Sequence, residues 1–330
     1  MRAGTREPSD APDSRYSWLR LAICTLISTI GGVGMWSFVV MLPAIQADFG
    51  ITRGEASLPY TVLMVGFALG SIITGRLADR FGIRVTLVTG SLAAGIGFVL
   101  GGLTTAPWQL TIAYGLLGLG TSAGFGPLIA DLSHWFERWR GIAVGICSAG
   151  NYLSGAIWPP VISYFIAAAG WRATHIGIGL FCLATVVPLA LLLGRRVALA
   201  HGTGGTLLHA GNLGLSPTAL QVLLSIAGVA CCVAMSMPQV HIVAYCGDLV
   251  CGVARGAEML WLMMAFGIVS RIGSGFIADW VGGLRTLLLG SVLQGVALVL
   301  YTLFDGLTSL YVISALFGLF PGGIVPGYAI

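Results

Sequence analysis

Long apolar runs alternate along this chain with short polar stretches, and the runs approach or exceed the about 20 residues an α-helix needs to cross a hydrocarbon layer of about 30 Å. The pattern predicts ten helices: Trp18–Met41, Ser57–Gly75, Val85–Leu103, Trp108–Ala130, Gly141–Ala168, Ala173–Leu193, Pro217–Val243, Met259–Gly275, Thr286–Phe304 and Ser309–Ile330. The first is too long for the apolar part of a signal peptide and no small-residue cleavage pattern follows it, so it is expected to stay in the mature chain. Residues 1–17 are polar and read as a disordered cytoplasmic tail. Residues 194–216, rich in Gly and His, read as a central cytoplasmic linker between a bundle at 18–193 and a second at 217–330.

One stretch is written twice within this pattern. Gly75-Arg76-Leu77-Ala78-Asp79-Arg80-Phe81-Gly82-Ile83-Arg84 returns two hundred positions later as Gly275-Phe276-Ile277-Ala278-Asp279-Trp280-Val281-Gly282-Gly283-Leu284-Arg285. The same offset relates Asp48 to Asp248, Gly90 to Gly290 and Gly118 to Gly318. Duplicated blocks of membrane-spanning helices are the signature of a secondary transporter.

Composition agrees with a bilayer solvent. The chain is 57% hydrophobic and 8% charged, with a mean hydropathy of +0.94, values no soluble chain of this length would carry. Its net charge of +4 comes from arginine alone. Without lysine the phosphate-cradling Gly-x-x-x-x-Gly-Lys-Ser/Thr loop cannot form, which excludes transport driven by the chain's own ATP hydrolysis. The arginines read as a topology signal and not as a nucleic-acid footprint. With a cytoplasmic N-terminus, Arg2, Arg6, Arg15, Arg20, Arg76, Arg80, Arg84, Arg138, Arg140, Arg195, Arg196 and Arg285 fall inside, and only Arg53, Arg172 and Arg255 outside, as the positive-inside rule requires of an inner (cell) membrane protein. The seven cysteines have no metal-ligand spacing. Cys24, Cys147, Cys182, Cys231 and Cys232 read as small core residues, while Cys246 and Cys251 flank an outer loop and could pair. No nucleophile–base pair, metal set or cofactor loop is legible, so an enzyme is not expected.

The run Gly75-x-Leu77-Ala78-Asp79-Arg80-x-Gly82-x-Arg84 resembles the loop 2–3 motif of the major facilitator superfamily, and the resemblance covers the chain from Trp18 on. It implies an all-α membrane protein with two pseudo-symmetric helical bundles related by an axis along the membrane normal, substrate held between them near the midplane, and access alternating by rocking. Six helices are expected in the first bundle and four of the usual six in the second, since Ile330 corresponds to Ala130 in the repeat. The motif glycines are expected to let helices approach closely, and the carboxylate to face the positive N-terminal end of a helix in the other bundle. On the family pattern Asp79 lacks its expected partner in the eleventh helix, whereas Asp279 would face the fifth helix near Arg140 and Gly141. Gly75, Asp79, Arg80, Gly82, Arg84, Gly275, Asp279, Gly282 and Arg285 are therefore candidate gating residues. Asp131 and Glu137 fall in the cytoplasmic 4–5 loop, where Asp131 could pair with Arg80 or Arg84.

Arg140-Gly141-Ile142-Ala143-Val144-Gly145, with Gly150, Gly155, Pro159-Pro160 and Gly170-Trp171-Arg172, resembles the fifth-helix region of monocarboxylate porters and oxalate/formate antiporters. Met237-Pro238-Gln239-Val240-His241 and Gly267-Ile268-Val269-Ser270-Arg271 are similar to their seventh and eighth helices. The Gly-x-x-x-Gly-Pro pattern of drug/proton antiporters is absent from the fifth helix. A mid-span guanidinium costs at least about 2.5–3.5 kcal/mol, so Arg271 is expected to face a water-filled cavity or a partner, and its planar fork suits a carboxylate. In the porters this resembles, an eighth-helix arginine binds the carboxylate, and some carry an acid one turn earlier; Gly267 occupies that place here. Arg271 could instead snorkel, being about 12 Å along the helix from Asp279.

His241 is a candidate for proton coupling, because no Asp or Glu falls securely inside a span. Asn151, Tyr152 and Trp36 are candidate cavity residues beside Arg271 and His241, although Trp36 and Phe38 also suit ordinary helix packing. The partners expected are a small organic anion, membrane lipid and protons as a coupling ion, with no nucleic acid. The alternatives are a carrier for a drug or sugar, and a non-transporting remnant.

Overall fold

The computed structural model of the protein describes residues 12–194, 216–248 and 253–324. All regular elements among them are helical. The helices are α1 (Arg15–Gly31), α2 (Val33–Phe49), α3 (Arg53–Phe81), α4 (Ile83–Gly102), α5 (Pro107–Thr121), α6 (Gly126–Ser133), α7 (Arg140–Leu192), α8 (Pro217–Asp248), α9 (Val253–Val281), α10 (Gly283–Leu303) and α11 (Leu307–Leu319). Short 3₁₀ turns lie at Ser122–Gly124 and Pro321–Gly323.

Among the described residues the ten predicted runs lie on helices, most of them longer than the runs, and two spans are interrupted; residues 325–330 of the tenth run lie outside the described residues. The first span is α1 plus α2, separated at Gly32; the fourth is α5, a 3₁₀ turn and α6, separated at Phe125 (φ −121°, ψ −89°). At 53 residues α7 would be about 80 Å long if straight. It is two spans, divided at Gly170, where φ 80° and ψ 164° leave the helical region. Apolar side chains such as Leu69, Ile112, Leu180, Val229 and Val292 are more than half exposed, an outward face that hydrocarbon tolerates and water does not.

The expected tail ends earlier than residue 17, because α1 begins at Arg15 with Ser14 as its cap, accepting from the Ser17 N–H at 3.3 Å. Asp13 is fastened to the 4–5 loop: its N–H donates to the Trp135 carbonyl, and its carboxylate accepts from the Glu137 and Arg138 amides at 3.3 and 3.0 Å. Residues 1–11 of that tail, and 195–215 of the linker, lie outside the described residues.

The contacts divide the chain between residues 195 and 196 into two compact units. In the first, Val33, Phe38, Leu63, Phe98, Tyr114 and Leu117 form one core, with Tyr60 stacked on Phe38 and Tyr114 edge-on to it. Close helix approach, not bulk, sets this core: a Cβ on Gly118 would collide with the Leu63 carbonyl. The second unit repeats the contact two hundred positions on, Gly318 lying against the Met263 carbonyl. One pair is exchanged between the repeats. Gly70 makes room for the Ser122 hydroxyl in the first unit, and Gly322 makes room for the Ser270 hydroxyl in the second. The interface keeps one small and one hydroxyl residue while swapping the helices that carry them.

Candidate functional site

The two breaks of the first unit border one pocket. Ser28, Gly31, Gly32 and Met35 come from the α1–α2 junction, Thr121, Gly124 and Phe125 from the α5–α6 junction, and Phe67 and Asn151 from α3 and α7. They border a small, partly open space with room for about one water molecule. Gly32 keeps helical dihedrals and its bond to the Ser28 carbonyl at 3.0 Å, so only the α5–α6 junction leaves the helical region, at Phe125; irregular backbone inside a membrane is tolerated where it lines a cavity. Asn151 is the most polar side chain present, and its amide donates only a long 3.9 Å contact to the Met35 sulfur.

The other cavity candidates do not join Asn151. Trp36 turns its indole against Gly155, and Tyr152 sits in the core at 7% exposure, outside the pocket lining. Ser28, Met35, Phe67, Thr121 and Phe125 went unrecognised in the sequence, where nothing distinguishes them from other helix residues.

In the second unit Arg271 is buried at 3% exposure on α9, enclosed by protein and not facing open water. Gln294 of α10 donates to the Cys231 carbonyl of α8 at 3.4 Å. Gln294 is itself buried to 3%, and the signal for it was a lone amide in the apolar run of α10. Ser274 donates to the Arg271 carbonyl at 3.0 Å, one turn on. His241 lies exposed on α8, away from this buried group. Cys246 is buried, 3.5 Å from the Met259 sulfur; its expected partner Cys251 lies outside the described residues.

The repeated loops have the same backbone in both units. Gly82 (φ 86°, ψ 165°) and Gly282 (φ 92°, ψ 154°) each end one helix and start the next. Each N–H donates to the alanine four residues earlier, Ala78 at 2.8 Å and Ala278 at 3.0 Å, and each carbonyl accepts from a threonine hydroxyl, Thr86 at 3.1 Å and Thr286 at 2.9 Å. The motif glycines therefore act as turn formers here. Gly75, expected to let helices approach, has no atom within 4 Å of where its Cβ would be. Asp79, Arg80, Arg84 and Arg285 are exposed, Asp279 is half-buried and Gly275 buried. The Arg80 guanidinium covers the Phe81 ring at 5.3 Å.

Asp131 pairs with neither Arg80 nor Arg84 as expected, but with Arg20. The Arg20 Nη2 and Nε donate to its Oδ2 at 2.5 and 3.2 Å, Nη1 donates to the Leu193 carbonyl, and the guanidinium lies 4.6 Å from the Trp135 ring centre. Arg20 is 1% exposed. Asp131 sits on α6, which packs against α1 as well as α3 and α4, and Arg20 is buried where Arg80 and Arg84 are exposed. At the opposite end of the first unit Arg172 bonds Asp48 and the Thr104 carbonyl while covering Trp171, tying together the ends of α2, α4 and the second half of α7. Among the described residues no cluster of His, Cys, Asp or Glu could hold a metal ion.

The chain is similar to known proteins. The bovine (Bos taurus) monocarboxylate transporter 13 is 27% identical over 96% of this chain and 75% of its own length. The 4-hydroxybenzoate transporter PcaK of Acinetobacter baylyi is 31% identical over 56% of this chain and 39% of its own. Among solved structures, the FucP transporter in its outward conformation superposes with a TM-score of 0.71 over 96% of this chain and 86% of its own, at 14% identity. Relatives of this kind are transporters and not enzymes. The sequence profile of the Major Facilitator Superfamily matches residues 24–330, and the chain therefore belongs to that superfamily, as a multi-pass integral membrane transporter of small molecules.

Proposed function

We propose that the protein carries a small organic anion, a mono- or dicarboxylate, by alternating access, and that Arg271 grips the carboxylate. The observation that carries this reading is the burial of Arg271 to 3% exposure within a span of 24 residues. A guanidinium inside a span costs about 2.5–3.5 kcal/mol on insertion scales, and its fork can bond a carboxylate through two parallel N–H groups. The monocarboxylate and 4-hydroxybenzoate transporters among its relatives support the same substrate class. The Asn151 pocket supplies further polar contacts. His241 is the group proposed for proton coupling. The arginine distribution supports a cell-membrane location with a cytoplasmic N-terminus, and apolar outward faces support lipid contact.

The test is binding of a panel of mono- and dicarboxylates, with a neutral sugar as control, to the wild type, Arg271→Lys and Arg271→Gln. Lysine keeps the charge but not the planar fork, so much of the acid binding should go with lysine and nearly all of it with glutamine. Binding of the sugar but of no acid, or indifference to both substitutions, rejects the organic-anion reading.

A further inference from the structure

The repeated loops share a backbone but not a surface. Two hundred positions apart, Arg76 is matched by Phe276, Arg80 by Trp280 and Arg84 by Leu284. The first two positions of each set lie one turn apart near the end of α3 or α9, and the third is the second residue of α4 or α10, just past the glycine turn. All six side chains are exposed, Trp280 to 94%. One backbone therefore displays three guanidinium groups in the first unit and three apolar side chains in the second. The carboxylate is common to both: Asp79 stands among three arginines, whereas the loop of Asp279 carries Arg285 alone.

A place on one side of the membrane does not account for this difference. Six spans lie between the two loops, so both emerge on the same side and are subject to the same bias in arginine placement, yet only the first carries the three arginines. Nor does pairing within the protein hold them: among the described residues none of the three forms an ion pair with a carboxylate. Arg80 covers the ring of Phe81, which is itself exposed, and the Arg84 Nη1 lies beside Gly194, just past the end of α7. Exposed Phe81 and Val85 set apolar surface next to the cations. An arginine so placed at a membrane border lays its stem along hydrocarbon and its charge among the headgroups, where the planar fork matches a phosphate. The aromatic and aliphatic side chains at the matching second positions suit the same border without regard to headgroup charge.

We propose that Arg76, Arg80 and Arg84 form a binding site for the headgroup of an anionic phospholipid, and that the matching second loop, with Phe276, Trp280 and Leu284, meets lipid of any charge. The site rests on neither Arg271 nor the organic-anion reading. Each cation close to an anionic membrane surface is expected to strengthen the contact about fivefold. Attraction of this kind is screened, so binding weakens as salt is raised.

The full chain is purified in detergent, and its binding of phosphatidylglycerol and of phosphatidylcholine with the same acyl chains is measured by native mass spectrometry. The proteins compared are the wild type, the triple variant Arg76→Gln, Arg80→Gln, Arg84→Gln, and the graft Phe276→Arg, Trp280→Arg, Leu284→Arg, which puts the three cations on the second copy of the backbone. The wild type should bind phosphatidylglycerol about tenfold or more tighter than phosphatidylcholine. The glutamine variant should lose that preference while binding phosphatidylcholine as before, and the graft should take up an additional phosphatidylglycerol. Inorganic phosphate at millimolar concentration should not displace the lipid. An unchanged preference in the glutamine variant, an equal loss of both lipids, or a graft that gains no lipid overturns the headgroup site. Displacement by inorganic phosphate overturns it as well, and assigns the arginines to a soluble phosphate ligand. The graft alters exposed side chains only, so it gives the answer even where the glutamine variant fails to insert.

Discussion

Arg20 and Asp131, 111 positions apart in sequence, form a two-pronged ion pair whose shorter arm is 2.5 Å and whose guanidinium is 1% exposed. It joins the start of the first span to the end of the fourth and takes in the Leu193 carbonyl at the end of the sixth. Removing Asp131, itself 27% exposed, strands the buried Arg20 guanidinium, at a cost of about 3–5 kcal/mol. Asp131→Leu is expected to destabilise by about that much, Arg20→Met by less because the stranded carboxylate reaches solvent, and the double variant by clearly less than the sum. Thermal unfolding of the four proteins in one detergent gives the cycle; additive losses would mean that the two side chains do not act as a pair.

The glycine contacts make a paired prediction. Gly118→Ala and Gly318→Ala each drive a methyl into a carbonyl of a neighbouring helix, that of Leu63 or Met263. Backbone cannot yield as a side-chain end can, so each is expected to cost about 1–3 kcal/mol. Equal melting temperatures for wild type and either variant would show that the helices part without penalty.

Within the repeated loops, single positions should differ sharply. Gly82→Ala and Gly282→Ala force an L-side chain into φ 86° and φ 92°, with ψ near 160°, a region costing about 1–3 kcal/mol for any residue but glycine. Gly75→Ala, in the same motif but on open helix surface, should be neutral or slightly stabilising. Unfolding measurements on the three variants check the order; a Gly75→Ala loss as large as that at Gly82 would contradict the turn assignment.

Orientation follows from arginine alone. A reporter fused after Arg196 is expected to be cytoplasmic and one fused after Gly252 outside. The reverse result at both sites would overturn the topology and the count of spans between them.

Spans and duplication were legible because each depends on local composition. A bilayer demands about 20 apolar residues per helix wherever the helix packs, so the runs predicted the helices, with ends off by several residues because a helix continues past its apolar centre into polar flanks. The recurrence of Gly82 at Gly282 was visible as well, but both read as close-approach positions, and only the positive φ in each copy shows that they form turns. Arg271 stood out for a related reason: a charge inside an apolar run is rare enough to be informative without its neighbours.

The tertiary structure decided what depends on which helix faces which. Arg20 read as one more arginine at a membrane border, and only the folded arrangement shows that Asp131 pairs with it and not with Arg80 or Arg84. Trp36 and Asn151 looked equivalent as cavity candidates, yet rotation about their helices sent one against Gly155 and the other into the pocket. Gly75 looked like Gly118 in a chain with 49 glycines. A glycine's lack of a side chain is written in the sequence; whether that lack is filled by a neighbouring helix or left as open space depends on atoms far along the chain, and only the folded arrangement supplies them.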